Sequence, residues 1–177
     1  VIDGLLSAGA PVALGVSGGK DSTAMVLAVL QHLDDIGHPK DKRVLVHADL
    51  GLIEWPETPE WVSRLAAFVG IELLVVRRAA GDMVARWEKR WQNNLERYRN
   101  LECMTLITPW STPAMRFCTS ELKVAPIASA LRKRFPGETI VSAAGIRAEE
   151  SPNRAKAPVS KIQPKLTTRK ASGYDWH

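Results

Sequence analysis

The sequence SGGKDS at residues 17–22 follows an apolar run at residues 12–16 and opens an apolar segment that has the pattern of a helix. Glycines allow backbone N–H groups to turn toward an anion, and the helix that follows adds the positive end of its dipole. A lysine adds a full charge, and two serines add hydroxyl donors. We therefore predict a phosphate-binding loop for a nucleotide, formed by Ser17, Gly18, Gly19, Lys20 and Ser22.

An aspartate distinguishes this loop from the commoner phosphate loop, in which a glycine lies five residues before the Gly-Lys pair and Ser or Thr follows the lysine. Leu14 and Asp21 occupy those places here. A carboxylate beside phosphates is repelled unless a cation lies between them. We therefore predict Mg²⁺ between Asp21 and the phosphates. The alternative is a glycine turn in which Asp21 only favours the helix N-terminus.

Short apolar strands alternate with helical patterns along the chain. The strands are predicted at residues 12–16, 44–48, 72–76 and 139–144, and the helices at residues 21–33, 59–69, 82–100 and 126–134. This alternation predicts an α/β fold, a doubly wound parallel sheet of the Rossmann-like kind with helices on both faces. The aromatic stripe of the third helix is interpreted as core packing and its charges as a solvated face, with a lid or docking role as the alternative.

Ligands in such sheets bind beyond the carboxyl ends of the strands. Ser17 follows the first predicted strand, Asp49 the second and Gly145 the last, so we expect all three beside the nucleotide. Asp49 would orient the ribose or help to hold Mg²⁺, and its alternative role is to cap a turn.

Three further segments appear in order: ADLGLIEWPET at residues 48–58, RFCTSELKVAPI at residues 116–127 and GIRAEESPNR at residues 145–154. Together with SGGKDS they resemble the motifs of the phosphoadenosine phosphosulfate (PAPS) reductase family, within the N-type ATP pyrophosphatase superfamily. The resemblance implies an adenine nucleotide alpha hydrolase-like fold with strand order 3-2-1-4. We expect one nucleotide-binding domain over residues 1–177, cut short at its C-terminus.

That strand order would place the last motif beside the SGGKDS loop, where Arg147 and Arg154 would bind phosphate oxygens as bidentate donors. The resemblance also implies that Lys123 is directed toward the anionic group of the substrate. Arg116 is interpreted either as assisting Lys123 or as a simply exposed residue. The catalytic residues we predict are Lys20, Asp21, Lys123 and Arg147. The nucleotide-binding residues also include Asp49, Gly145 and Arg154, and Mg²⁺ is assigned to Asp21 and Asp49.

The cysteines separate two kinds of relative. In relatives that reduce adenosine phosphosulfate, adjacent cysteines in the RFCTSELKVAPI region and a later pair hold an iron–sulfur cluster, whereas this chain has Phe117 before Cys118. With Cys103 as the other cysteine, these residues supply two thiolates where the cluster needs four, so we expect no such cluster. Cys118 is interpreted either as a buried, unreactive residue or as a thiol that handles sulfur.

Charge and composition limit the classes of ligand and partner that the chain is expected to bind. The 177 residues are 45% hydrophobic, which is enough for a full core, and the net charge is +5. Residues 145–177 hold seven Lys or Arg and three acids, which suits a nucleotide, a sulfonucleotide or a nucleic-acid backbone, or else a solvated loop. The apolar runs are too short to span a bilayer, and a cytoplasmic location without membrane contact is expected.

The reaction we expect is attack at the α-phosphorus of ATP, with release of pyrophosphate and adenylylation of an acceptor; in some relatives this step feeds sulfur insertion, including DNA phosphorothioation. One alternative is thiol-dependent reduction of PAPS to sulfite. Another is a non-catalytic module that senses nucleotides or associates with nucleic acid. A sulfur-donor or thioredoxin-like partner and a homo-oligomer are further expectations.

Overall fold

The fold, described by a computed structural model over residues 1–112 and 115–177, is built on one twisted sheet. Its strands are β1 (Val12–Gly15), β2 (Arg43–Asp49), β3 (Leu73–Arg77), β4 (Ile140–Ala144), β5 (Ser160–Ile162) and β6 (Gly173–Trp176). They lie in the order β3-β2-β1-β4-β6-β5. The α/β fold and the strand order 3-2-1-4 predicted from the sequence are confirmed.

One helix precedes the first strand, and the others lie in the connections between strands from β1 to β5. The helices are α1 (Ile2–Ser7), α2 (Lys20–Asp35), α3 (Thr58–Val69), α4 (Met83–Arg99), α5 (Ala125–Arg134) and α6 (Pro152–Ala155). A π-helix at Cys118–Val124 runs directly into α5. Proline stands in the first turn of α3, where its missing N–H removes no helix hydrogen bond. Pro126 in α5 instead follows the π-helix directly and cannot donate a hydrogen bond to it.

The sheet is covered on both faces, as a doubly wound fold requires. On one face, Leu14 and Leu45 pack with α1, α2 and α3; on the other, Val44 and Ile140 pack with α5. Each fully buried Leu, Val or Ile side chain stabilises the fold by about 1.5–3 kcal/mol. Because β1 and β2 are buried on both sides, they have continuous apolar sequences rather than alternating ones.

The basic tail adds two strands to the predicted parallel sheet. We allowed that the segment after Arg154 was a solvated loop, but β6 pairs parallel with β4, and β5 adds an antiparallel edge strand. The interpretation as a solvated loop is therefore wrong for these strands. Gly173 permits this arrangement, because a Cβ at that position would lie 2.1 Å from the Cβ of buried Leu166.

The aromatic stripe of helix α4 is less buried than predicted from the sequence. Its buried residues are Met83 and Asn94, while Tyr98 of the stripe is 46% exposed. Met83 packs in a small third cluster with Leu50 and Phe117, with half-buried Trp87 against it. The prediction that the whole stripe belongs to the core is therefore wrong. Among the residues described, no helix combines the length and the apolar character needed to cross a bilayer.

Candidate nucleotide site

The SGGKDS loop joins the end of β1 to the start of α2. Gly18 has φ +74°, a conformation that L side chains rarely adopt, and a Cβ there would lie 3.3 Å from the Thr58 side chain. The Ser22 hydroxyl closes the loop by donating to the Gly19 carbonyl at 2.9 Å and by lying 3.2 Å from the Ser17 hydroxyl. The first amides of a helix have no partner within it, so the start of α2 offers donors to an anion.

The GIRAEESPNR motif meets this loop, as predicted. A Cβ on Gly145 would lie 2.8 Å from the backbone oxygen of Asp21, so only glycine permits this approach of β4 to α2. Arg147 Nε lies 3.1 Å from Asp21 Oδ2. The structure thus brings Asp21 together with Gly145 and Arg147, which lie more than a hundred positions later in the sequence.

Glu150 is a residue that sequence reasoning missed. Its carboxylate accepts from Arg147 at 3.3 Å and forms an ion pair with Arg154. Glu150 therefore holds both predicted phosphate-binding arginines on one short segment beside the loop. Its position three and four residues from the two arginines on either side was the available signal in the sequence.

Asp49 has both carboxylate oxygens engaged. Oδ1 accepts from the Gly51 amide at 2.7 Å, and Oδ2 pairs with Arg77. Burial raises the pKa of the Asp49 carboxyl, but the hydrogen bonds from Arg77 and Gly51 outweigh it, so the pKa lies below its ordinary value. The structure thus shows the turn-capping role, while ribose and metal roles stay predictions that require Arg77 to release the carboxylate.

Asp21 and Asp49, the two carboxylates predicted to bind Mg²⁺, differ in how well they suit that role. Across residues 1–112 and 115–177, no group of three or more His, Cys, Asp or Glu side chains could hold a metal. Mg²⁺ is commonly bound by one or two carboxylates together with substrate phosphates, so a full protein cage is not required. Asp21 fits that pattern, since its side chain is 36% exposed at the start of α2 beside the loop.

Two tryptophans lie beside the loop, and sequence reasoning did not single them out as site residues. Trp55, Glu57, Thr58 and Trp61 line a recess together with loop residues 17–19. Trp55 is 80% exposed and Trp61 57% exposed, so both offer apolar surface next to the predicted phosphate site. Trp55 lies inside the ADLGLIEWPET motif, which was the signal for it.

A second cavity lies at the carboxyl ends of β1 and β4. Its volume is about 460 Å³, and it is lined by Gly15 and Ala144 of the strands. The charged side chains that line it are Arg116, Arg154, Lys161 and Asp175, three cations and one acid. The cavity therefore favours an anionic group. Lys161 was not predicted as a site residue because its place in the sheet depends on β5.

Lys123, predicted to face the substrate, is exposed on the π-helix and is not among the described residues that line this cavity. Its charge acts instead on Cys118. Burial raises the pKa of the Cys118 thiol, but hydrogen bonds with Ser111 and Thr119 and the Lys123 charge outweigh burial and lower the pKa below its ordinary value. Ser111 Oγ donates to Cys118 Sγ at 3.2 Å. The structure therefore favours the reactive-thiol interpretation over the unreactive one.

This arrangement predicts how the reactivity of the Cys118 thiol depends on pH. In a Cys103→Ser background, which leaves Cys118 as the sole thiol, we expect the alkylation rate by iodoacetamide to rise with a midpoint below the ordinary pKa of a cysteine thiol. The Ser111→Ala substitution removes a donor to the thiolate, so the pKa should rise and the midpoint should move to higher pH. Alkylation reactions quenched at set times between pH 5 and 10 and analysed by mass spectrometry give both midpoints. Identical midpoints would refute the role of Ser111.

Comparison with known proteins agrees with the geometry. The family model described as phosphoadenosine phosphosulfate reductase domain matches residues 11–170. This range includes the SGGKDS loop, the π-helix and the Arg147 segment, and it extends into the basic tail. No curated protein matches the chain.

Proposed function

The chain belongs to the phosphoadenosine phosphosulfate reductase family, and from this premise we propose that it cleaves ATP between the α- and β-phosphates. The products are pyrophosphate and an adenylylated acceptor. The family is one of PP-loop, adenine nucleotide alpha hydrolase-like proteins, and its domain points to an enzyme of the sulfonucleotide or adenylyl-transfer kind. The choice of ATP rather than a sulfonucleotide is the proposal.

The observation that carries the proposal is Asp21, at the start of α2 and paired with Arg147. A carboxylate at that place repels a phosphosulfate, whereas with ATP the cation that accompanies the phosphates lies between the negative groups. Mg²⁺ held by Asp21 would neutralise part of the charge on the phosphates when ATP binds. With ATP as the nucleotide, Asp21 would hold the cation, while Lys20 and Arg147 would bind phosphate oxygens.

The chain's own residues divide the work on the triphosphate. The loop amides and Lys20 bind the pyrophosphate part and stabilise the charge that grows on it as the bond to the α-phosphorus breaks. Arg147 and Arg154, which are bidentate donors, bind the remaining oxygens once Asp21 and Glu150 share them with the substrate. This assignment needs no covalent enzyme intermediate, because positioning and charge neutralisation suffice for phosphoryl chemistry.

The cavity beside β1 and β4 suits the acceptor. Its volume of about 460 Å³ falls within the range of roughly 300–1,000 Å³ usual for small-molecule pockets. Arg116 and Lys161 on its wall favour an acceptor that carries a negative charge. Gly15 lines the cavity at the end of β1, two residues before the loop, so an acceptor there would lie next to the nucleotide.

Reduction of PAPS is the second candidate, and Cys118 is the observation that favours it. The lowered pKa of its thiol increases the thiolate fraction, and a thiolate is the nucleophile that attacks the sulfur of PAPS. In that case the loop would hold the phosphosulfate. Asp21 then has no evident role, and for this reason we rank the reaction second.

One paired assay separates the candidates. The protein is incubated with Mg²⁺ and ATP, and released pyrophosphate is measured; in parallel it is incubated with PAPS and reduced thioredoxin, and sulfite is measured. We expect pyrophosphate that disappears in EDTA, and no sulfite. Sulfite without pyrophosphate would establish the reductase. Binding of both nucleotides without turnover would leave a nucleotide sensor.

A further inference from the structure

Four exposed cations lie at the amino ends of the strands. We name them the amino-edge patch: Arg132, Lys133, Arg169 and Lys170. Helix α5 ends at Arg134 just before β4, and the turn at residues 168–171 lies just before β6. Since β4 and β6 are parallel and pair from Ile140 and Gly173 onward, both segments lie at the same edge of the sheet. The SGGKDS loop lies at the opposite edge, about 16 Å of strand away.

The charge of the amino-edge patch is not neutralised. Over residues 1–112 and 115–177, none of its four cations lies within 4 Å of a carboxylate oxygen, whereas neighbouring Arg134 pairs with Glu72 and Lys42 pairs with Glu138. The chain contributes no acid between Glu150 and Asp175. Like charges collected without partners destabilise a fold slightly, so a surface that keeps them is expected to meet an anion.

The patch is held in place by the fold. Arg132 Nη1 donates to the backbone oxygen of Lys165 at 2.6 Å, which joins α5 to the tail. The Thr168 hydroxyl accepts from the Lys170 amide at 3.2 Å and from the Ala171 amide at 3.1 Å, which fixes the turn. Buried Leu166 anchors the segment over Gly173. The cations therefore lie on an ordered surface, which reduces the entropy lost when a ligand binds.

We propose that the amino-edge patch binds the phosphate backbone of duplex nucleic acid without regard to sequence. Lys, Arg and Ser/Thr side chains are the usual partners of backbone phosphates, and Thr168 and Ser172 flank the cations in the turn. No large hydrophobic residue within 125–137 or 163–172 is exposed, so the surface lacks the apolar side chains with which proteins enter a lipid interface. Bound nucleic acid would leave the nucleotide loop at the other edge free.

The test compares two charge-matched variants in binding a fluorescein-labelled 20-base-pair duplex by anisotropy, between 50 and 200 mM KCl. Arg169→Glu/Lys170→Glu alters the patch, and Lys89→Glu/Arg99→Glu alters exposed cations of α4 by the same charge. We expect the patch variant to lose at least roughly tenfold in affinity at 50 mM salt and to reduce the slope of log K against log salt by about 2. The α4 variant should lose less than roughly threefold.

Two further measurements test whether the variants are folded and whether the patch binds a membrane instead. Circular dichroism and thermal unfolding show that each variant is folded, because neither measurement depends on a bound nucleotide. Vesicles that contain phosphatidylserine test the competing partner: strong binding to vesicles together with weak duplex binding would overturn the proposal in favour of a membrane surface. Equal losses in both variants would also overturn it, since only the overall charge would then matter.

Discussion

Lys20→Ala is expected to lower the rate of pyrophosphate release from ATP at least roughly tenfold, equivalent to about 1.4 kcal/mol of transition-state stabilisation. Lys20 is the first residue of α2 and lines a groove with Gly18, so its charge lies beside the predicted pyrophosphate position. That charge opposes the negative charge that grows on the departing group. The lysine is exposed, so its removal should cost little stability.

Lys40→Ala is the matched control, because Lys40 is also exposed and lies in the short 3-10 helix before β2, away from the loop. Its rate should equal that of the unaltered protein. A coupled pyrophosphate assay at saturating and limiting ATP separates an effect on kcat from one on KM. If Lys20→Ala released pyrophosphate at the unaltered rate, the role given to the loop lysine would be wrong.

Gly145→Ala is expected to damage both the fold and the site. The added Cβ would lie 2.8 Å from the backbone oxygen of Asp21 and 3.2 Å from the Cβ of Met25, so the end of β4 must move away from α2. Overpacking of this kind costs about 1–3 kcal/mol of unfolding free energy. Because the shift separates Arg147 from Asp21, we also expect ATP affinity to fall at least roughly tenfold.

Gly4→Ala is the control for this substitution, since nothing lies within 4 Å of a Cβ at Gly4 in α1. Alanine in a helix is favoured over glycine by about 1 kcal/mol, so this variant should be as stable as the unaltered protein or more so. Urea unfolding and calorimetric titration with ATP report the two effects. Unchanged stability and affinity in Gly145→Ala would contradict the close approach of β4 to α2.

The sequence predicted the centre of the fold well because its signals there are local. Strands β1, β2 and β4 are short apolar runs buried on both faces. The glycine-rich loop with a helix behind it is likewise a local signal, and the prediction of a phosphate site rests on it. The resemblance supplied the strand order, and that order brought Arg147 to Asp21.

The edges of the fold carry weaker signals. Strands β5 and β6 are three and four residues long and contain Lys161 and Asp175, so neither shows an apolar run. Their pairing depends on Leu166 packing over Gly173. The repeat pattern of a helix or a strand does not predict this contact. The engagement of Asp49 by Arg77 likewise depends on the register of β2 and β3.

The central claim is that the SGGKDS loop binds the pyrophosphate part of ATP through its amides, and a crystal structure with Mg²⁺ and α,β-methylene-ATP tests it most directly. We expect the β- and γ-phosphates to accept hydrogen bonds from the amides that follow Gly18, with Lys20 on a phosphate oxygen and Mg²⁺ on Asp21. A triphosphate bound elsewhere, with the loop free of it, would contradict the account.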